Sequence, residues 1–178
     1  MKSNSQNSAL TALIKRAKVN QCQNKKNLSK ILFACSLRKA RRQNIHQSNP
    51  ALLGRNTYDR IKEGNVPHFK GFMSACEKLG LEIRFKLCGP QAENLCLDKF
   101  CRLDNEFSRR KLERLMTAIY NSASARRADK EIRQYQLEKL KQISDVSGEI
   151  HWANLYRFFG ACGYDLIVWI EDSAVEQL

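Results

Sequence analysis

Long apolar runs are missing from this chain. Nowhere does it hold the roughly eighteen consecutive apolar residues that a membrane-spanning helix needs. The opening MKSNSQNSALTALIKRAKVN has no apolar stretch of the secretory-leader kind, so the expected setting is the cytoplasm. Enzyme signatures are missing too: there is no P-loop, no G-x-S-x-G, no H-E-x-x-H and no dinucleotide fingerprint. The three histidines, His46, His68 and His151, are far apart, and Asp98 with Asp104, or Asp129 with Glu131, read as solvated charges. Among the seven cysteines, Cys88, Cys96 and Cys101 cluster, yet no Cys-x-x-Cys pair or nearby histidine completes a zinc site. The odd cysteine count, and helical placement of Cys35, Cys76 and Cys162, point to reduced thiols acting as small core hydrophobes. No enzyme, cofactor or metal is expected.

The scarcity that says most is of acids in the first part of the chain. From Met1 to Phe72 there are 15 Lys and Arg against Asp59 and Glu63 alone, while 16 basic residues meet 16 acidic ones from Met73 onward. The whole net charge of +13 therefore arises in the first 72 positions. A surplus segregated in this way favours a polyanionic partner over an evenly solvated surface.

What is there suits one ordinary domain or two small ones: 178 residues, 43% hydrophobic and 28% charged, enough to bury a core and stay soluble. Ser8 caps an expected short helix with Leu10, Leu13, Ile14 and Ala17 on one face and Lys15, Arg16 and Lys18 opposite. After Lys25-Lys26-Asn27 a second helix is expected from Leu28 to Arg42, burying Leu28, Ile31, Leu32 and Cys35. Its end gathers Arg38, Lys39, Arg41 and Arg42, which suit the helix terminus and, with no acid nearby, phosphate contact. A short helix then carries Arg55, Asn56, Thr57, Asp59, Arg60 and Lys62, with Leu53, Tyr58 and Ile61 turned inward and a stop at Gly64. Phe69, Phe72, Met73, Cys76 and Leu79 define the next helix, Gly80 breaks it, and Leu81 to Leu87 alternates as a strand. Cys88 to Asn105 reads as a linker with a turn at Gly89-Pro90 and a small helix from Glu93 to Phe100.

The run Gly54-Arg55-Asn56-Thr57-Tyr58 through Glu63-Gly64, followed by Ala75 through Leu81, resembles the core of lambda-repressor-like (Cro-type) helix-turn-helix domains, over roughly Leu28 to Phe85. The family's second helix usually opens with Thr-Gln, whereas Gln43-Asn44-Ile45-His46-Gln47-Ser48-Asn49-Pro50 stands here, so one helix from Pro50 to Glu63 is an alternative. The resemblance implies a helix docked in the major groove. There Arg55 and Arg60 would read guanine, Asn56 adenine, and Thr57 a phosphate or thymine methyl. Lys25, Lys26, Arg38, Lys39, Arg41, Arg42 and Lys62 are the expected phosphate contacts. Asp59 would repel phosphate, so it either orients an arginine or faces away.

From Phe107 the pattern repeats. Leu112, Leu115, Met116 and Ile119 echo Leu28, Ile31, Leu32 and Cys35 at a shift of 84, and Arg126-Arg127 echoes Arg41-Arg42. Gly148 echoes Gly64, while Trp152, Leu155, Phe158 and Gly163 echo Phe69, Phe72, Ala75 and Gly80. The strand at 164–170 echoes that at 81–87. The expected fold is mainly α, with two tandem helix-turn-helix-like units each ending in a short strand. The boundaries are an arm at 1–27, a DNA-binding domain at 28–87, a linker at 88–106, a diverged copy at 107–172 and a tail. The copy has lost the Arg-Asn-Thr face; Arg126, Arg127, Gln134, Gln136 and Lys139 are its candidate DNA contacts, and dimerisation is its alternative use. The two strands are expected to pair within one chain, or each with its twin in a homodimer reading a palindrome. The expected function is a sequence-specific regulator of transcription, a repressor of phage or plasmid type, bound to double-stranded DNA. An antitoxin-like partner-binding protein that autoregulates through DNA, and an RNA-binding protein, are the alternatives.

Overall fold

The structure is a computed structural model that describes residues 3–43, 52–89, 92–96, 105–122, 128–144 and 150–172. It is mainly helical with short strands, as the periodicities lead one to expect. In chain order the elements are α1 (Ser3–Arg42), α2 (Arg55–Lys62), α3 (Phe69–Leu79), β1 (Leu81–Gly89), β2 (Ala92–Cys96), α4 (Asn105–Tyr120), α5 (Lys130–Ser144), α6 (Trp152–Ala161) and β3 (Asp165–Asp172). The strands form one sheet in the order β2-β1-β3.

Two expectations are corrected here. The arm, the short helix and the helix from Leu28 are one helix of 40 residues, α1. Neither glycine nor proline occurs in the first 49 positions, so nothing ends it, and Lys25-Lys26-Asn27 is compatible with helical backbone. The polar interval misleads because burial resumes beyond it: Ala17 is buried before it, and Leu28, Ser29, Leu32, Cys35, Ser36 and Ala40 are buried after it. Ile31, expected inside, is exposed, because it lies off the i, i+4 ridge of Leu28, Leu32, Ser36 and Ala40 that is buried. Similarly, no helix forms at Ala92–Cys96: this stretch is β2, antiparallel to β1 with Lys86 opposite Cys96 and Leu87 opposite Leu95. Backbone donors and acceptors of β1 need partners, and β2 supplies them along one side.

The chain divides into two compact units, one of Met1–Gln21 and Phe85–Ile167, the other of Cys22–Arg84 and Val168–Leu178. Each draws on two separated stretches, whereas sequence patterning cuts the chain into consecutive ones. In the first unit α5 packs against both α4 and α6. Its core holds Leu112, Leu115, Met116 and Ile119 from α4, Ile132, Leu140 and Ile143 from α5, and Trp152, Leu155, Phe158 and Phe159 from α6. A Cβ on Gly160 would stand 2.8 Å from that of Ala17, so α6 and α1 meet at a distance only glycine permits.

In the second unit Leu28, Leu32 and Cys35 of α1 share the core with Leu53, Ile61, Phe69, Phe72, Cys76, Leu79 and Ile83. Phe33 packs on Tyr58, ring centroids 6.0 Å apart, and so ties α2 to α1. The helix–glycine–strand order repeats along the chain: α3 ends at Gly80 (φ 68°) before β1, and α6 is followed by Gly163 (φ 86°) before β3. His68 and His151 occupy equivalent N-cap positions, and their backbone carbonyls accept from Phe72 N–H and Leu155 N–H. Trp152 is buried, whereas Trp169 is half-buried.

Beyond β1, the free side of β3 meets side chains of α1. Asn20 Nδ2 donates to the Leu166 carbonyl at 3.0 Å, and the Val168 N–H donates to Asn24 Oδ1 at 3.1 Å. Residues i and i+4 on a helix face the same way, as do i and i+2 on a strand, so two asparagines one turn apart reach two successive outward backbone positions. Among the described residues no helix is long and apolar enough to cross a membrane, and no cluster of His, Cys, Asp and Glu is placed to hold a metal ion.

Candidate nucleic-acid interface

Helix α2 starts where Gly54 makes it start. Gly54 adopts φ 80° and ψ 144° at the N-cap, a conformation that residues with a Cβ rarely adopt. Nothing lies within 4 Å of where a Cβ would be, so the constraint is conformational and not spatial. This break removes the alternative of one helix running from Pro50 to Glu63. The helix ends at Gly64, φ 81°, with Asn65 N–H returning to the Arg60 carbonyl at 2.8 Å.

Eight residues of α-helix are about 12 Å long, close to the width of the major groove of about 12 Å. One side of α2 is held by Ile61, which is buried, with Tyr58 and Thr57 half-buried. The opposite arc presents Arg55, Asn56, Asp59, Arg60 and Lys62, all exposed. The expected base-reading residues Arg55, Asn56 and Arg60 therefore share one open face. Thr57 sits at its edge. Arg55 Nε lies 3.9 Å from Asp59 Oδ2 one turn along.

The expected phosphate contacts divide. Lys26, Arg41, Arg42 and Lys62 are exposed, and Lys25 is half-buried. Arg38 is exposed with Nη2 3.1 Å from Cys35 Sγ. Lys39 is half-buried and its Nζ donates to the Lys78 carbonyl, where it satisfies the C-terminal end of α3. Lys30 and Lys70 are exposed cations of the same unit that patterning passed over; i+4 spacing from Lys26 is the signal for Lys30.

In α5 one candidate is corrected. Gln136 is 1% exposed and its Nε2 donates to the Ala161 carbonyl at 2.8 Å, closing the C-terminal end of α6. It is unavailable to DNA. The spacing Ile132, Gln136, Leu140, Ile143 already puts it on the buried face. Gln134 is exposed, and Lys139 is half-buried, 5.2 Å from the Tyr135 ring centroid and bonded to Gln142 Oε1 at 2.9 Å. Arg133 lies over the Tyr120 ring at 4.0 Å and donates to the Tyr120 carbonyl at 2.7 Å. Its cation caps α4. Arg126 and Arg127 lie outside the described residues, as do Gly148 and Cys101, and the segment 44–51.

Two cysteines of the expected cluster lie on the hairpin, Cys88 near the end of β1 and Cys96 on β2. Compared with family models, curated proteins and solved structures, the chain matches none of them.

Proposed function

We propose that this chain is a sequence-specific DNA-binding regulator of transcription, acting in the cytoplasm as a repressor, and that α2 enters the major groove. The observation that carries the reading is the sidedness of α2. Its apolar residues anchor it on α1 while Arg55, Asn56 and Arg60 stand open together on a helix of groove width. The charge distribution supports it, because the part of the chain that contains α2 holds all of the excess positive charge. The likeness of residues 54–64 and 75–81 to the lambda-repressor-like pattern supports it as well. Arg41, Arg42, Lys26 and Lys62 supply attraction to the backbone regardless of sequence; Arg55, Asn56 and Arg60 discriminate bases.

Selection of bound duplexes from a random pool, with competition by RNA and single strands, tests this. A duplex motif is expected, and Arg55→Ala and Arg60→Ala should each relax one of its positions by about 1–3 kcal/mol. Arg42→Ala should weaken all sequences alike and flatten the salt slope by about one unit. Preference for RNA over duplex, or a motif indifferent to both arginine replacements, would overturn the reading.

A further inference from the structure

Asp59 is the one acid on the outward arc of α2. Three cations share that arc, and the Nε of Arg55 is 3.9 Å from its carboxylate. The pair is not arranged to stabilise the helix. Its cation stands in the first turn and its anion one turn later, the reverse of the order that the helix dipole favours. At 85% and 54% side-chain exposure the pair is also well solvated, and such pairs add little to folding. Against a duplex the carboxylate is worse than neutral, since phosphates repel it at every sequence. An acid so placed lowers affinity everywhere unless it acts through a neighbour, and the neighbour in reach is Arg55.

We propose that Asp59 is a positioning residue whose carboxylate, 3.9 Å from the Arg55 Nε, closes on that Nε against DNA and thereby aims the two Nη groups at one guanine of the operator. The proposal rests on α2 being the reading helix. A guanidinium carries five N–H donors in a planar fork, and guanine is read end-on through O6 and N7. A carboxylate engaged at Nε leaves both Nη groups free for that end-on approach. It also limits the rotamers of a long side chain that would otherwise lose its freedom only on binding. Asp59 thus trades general affinity for discrimination at one base pair. Direct acceptance from a cytosine amino group is the competing role for this carboxylate, and it would act at a different base pair.

The test is base preference, position by position, for the wild-type chain and for Asp59→Ala, Asp59→Asn, Asp59→Glu, Arg55→Ala and the Arg55→Ala/Asp59→Ala double variant. Asp59→Ala and Asp59→Asn are expected to relax the same position that Arg55→Ala relaxes, by about tenfold. The double variant should be no more relaxed than Arg55→Ala alone, and Asp59→Glu should restore part of the preference. Affinity for non-specific duplex should rise about threefold in Asp59→Ala at moderate salt, since one repelled charge is gone. A merely structural role would leave the base preference unmoved, whatever the lost charge does to non-specific affinity. If the wild-type motif survives Asp59→Ala unchanged, or relaxes at a position Arg55→Ala leaves alone, the positioning role is wrong while the reading helix stands. If the wild-type chain selects no motif, both fall together.

Discussion

Cys76 shows what burial does to one side chain. It is 1% exposed, and its thiol is pushed up to about 12, first by burial and then by Cys35 beside it. An unfolded thiol ionises near 9.0. Above that pH the unfolded chain releases a proton that the folded chain keeps, so stability falls as pH rises, by about 1.4 kcal/mol per pH unit for one such group. Below it the group has no effect. Burial pushes the Cys162 thiol up to about 12 as well, which adds in the same sense. Urea denaturation at about pH 8, 9.5 and 10.5 should show the midpoint dropping across the upper two values, and Cys76→Ala should drop less steeply. A flat midpoint would mean that the site admits water. Cys35 and Cys76 as small core residues were legible from helical spacing alone, while Cys162, expected with them, is half-buried at the end of α6. The buried amide of Gln136 was hidden by its polar chemistry, although its spacing placed it inside.

At the scale of elements, the exposed edge of a sheet is an invitation to pair with another chain, and among the described residues β3 has a strand neighbour only on its β1 side. Asn20 and Asn24 occupy the outer backbone groups at Leu166 and Val168. The Asn20→Ala/Asn24→Ala variant should lose about 1 kcal/mol for each bond and should self-associate with rising concentration. Light scattering of wild type and variant across a concentration series checks this; identical curves would show that the asparagines do not guard the edge. This device was invisible beforehand because it joins residues 146 and 144 positions apart. By contrast α2, α3 and β1 were readable because their determinants are local. Gly54, Gly64 and Gly80 take positive φ at the breaks, and apolar residues recur at three and four between them. β2 was misread because its partner, not its own composition, makes it a strand. Asp59 lay between two readings in the sequence, orienting an arginine or facing away, and only coordinates bring Arg55 within reach.

At the scale of the whole molecule, the two compact units exchange chain with one another. Residue 21 ends one stretch inside α1, residue 84 another inside β1, and residue 167 a third inside β3. Three unbroken elements therefore belong to both units. Heating should consequently give one transition, with far- and near-ultraviolet dichroism superimposed and calorimetric and van't Hoff enthalpies equal. Two resolved transitions would show that the elements part at those residues. The periodic sequence invites the thought that an ancestral half was copied and that either half remains a module. Connectivity of this kind points the other way: a cut near the midpoint separates stretches that one compact unit draws together, so neither piece is expected to fold on its own.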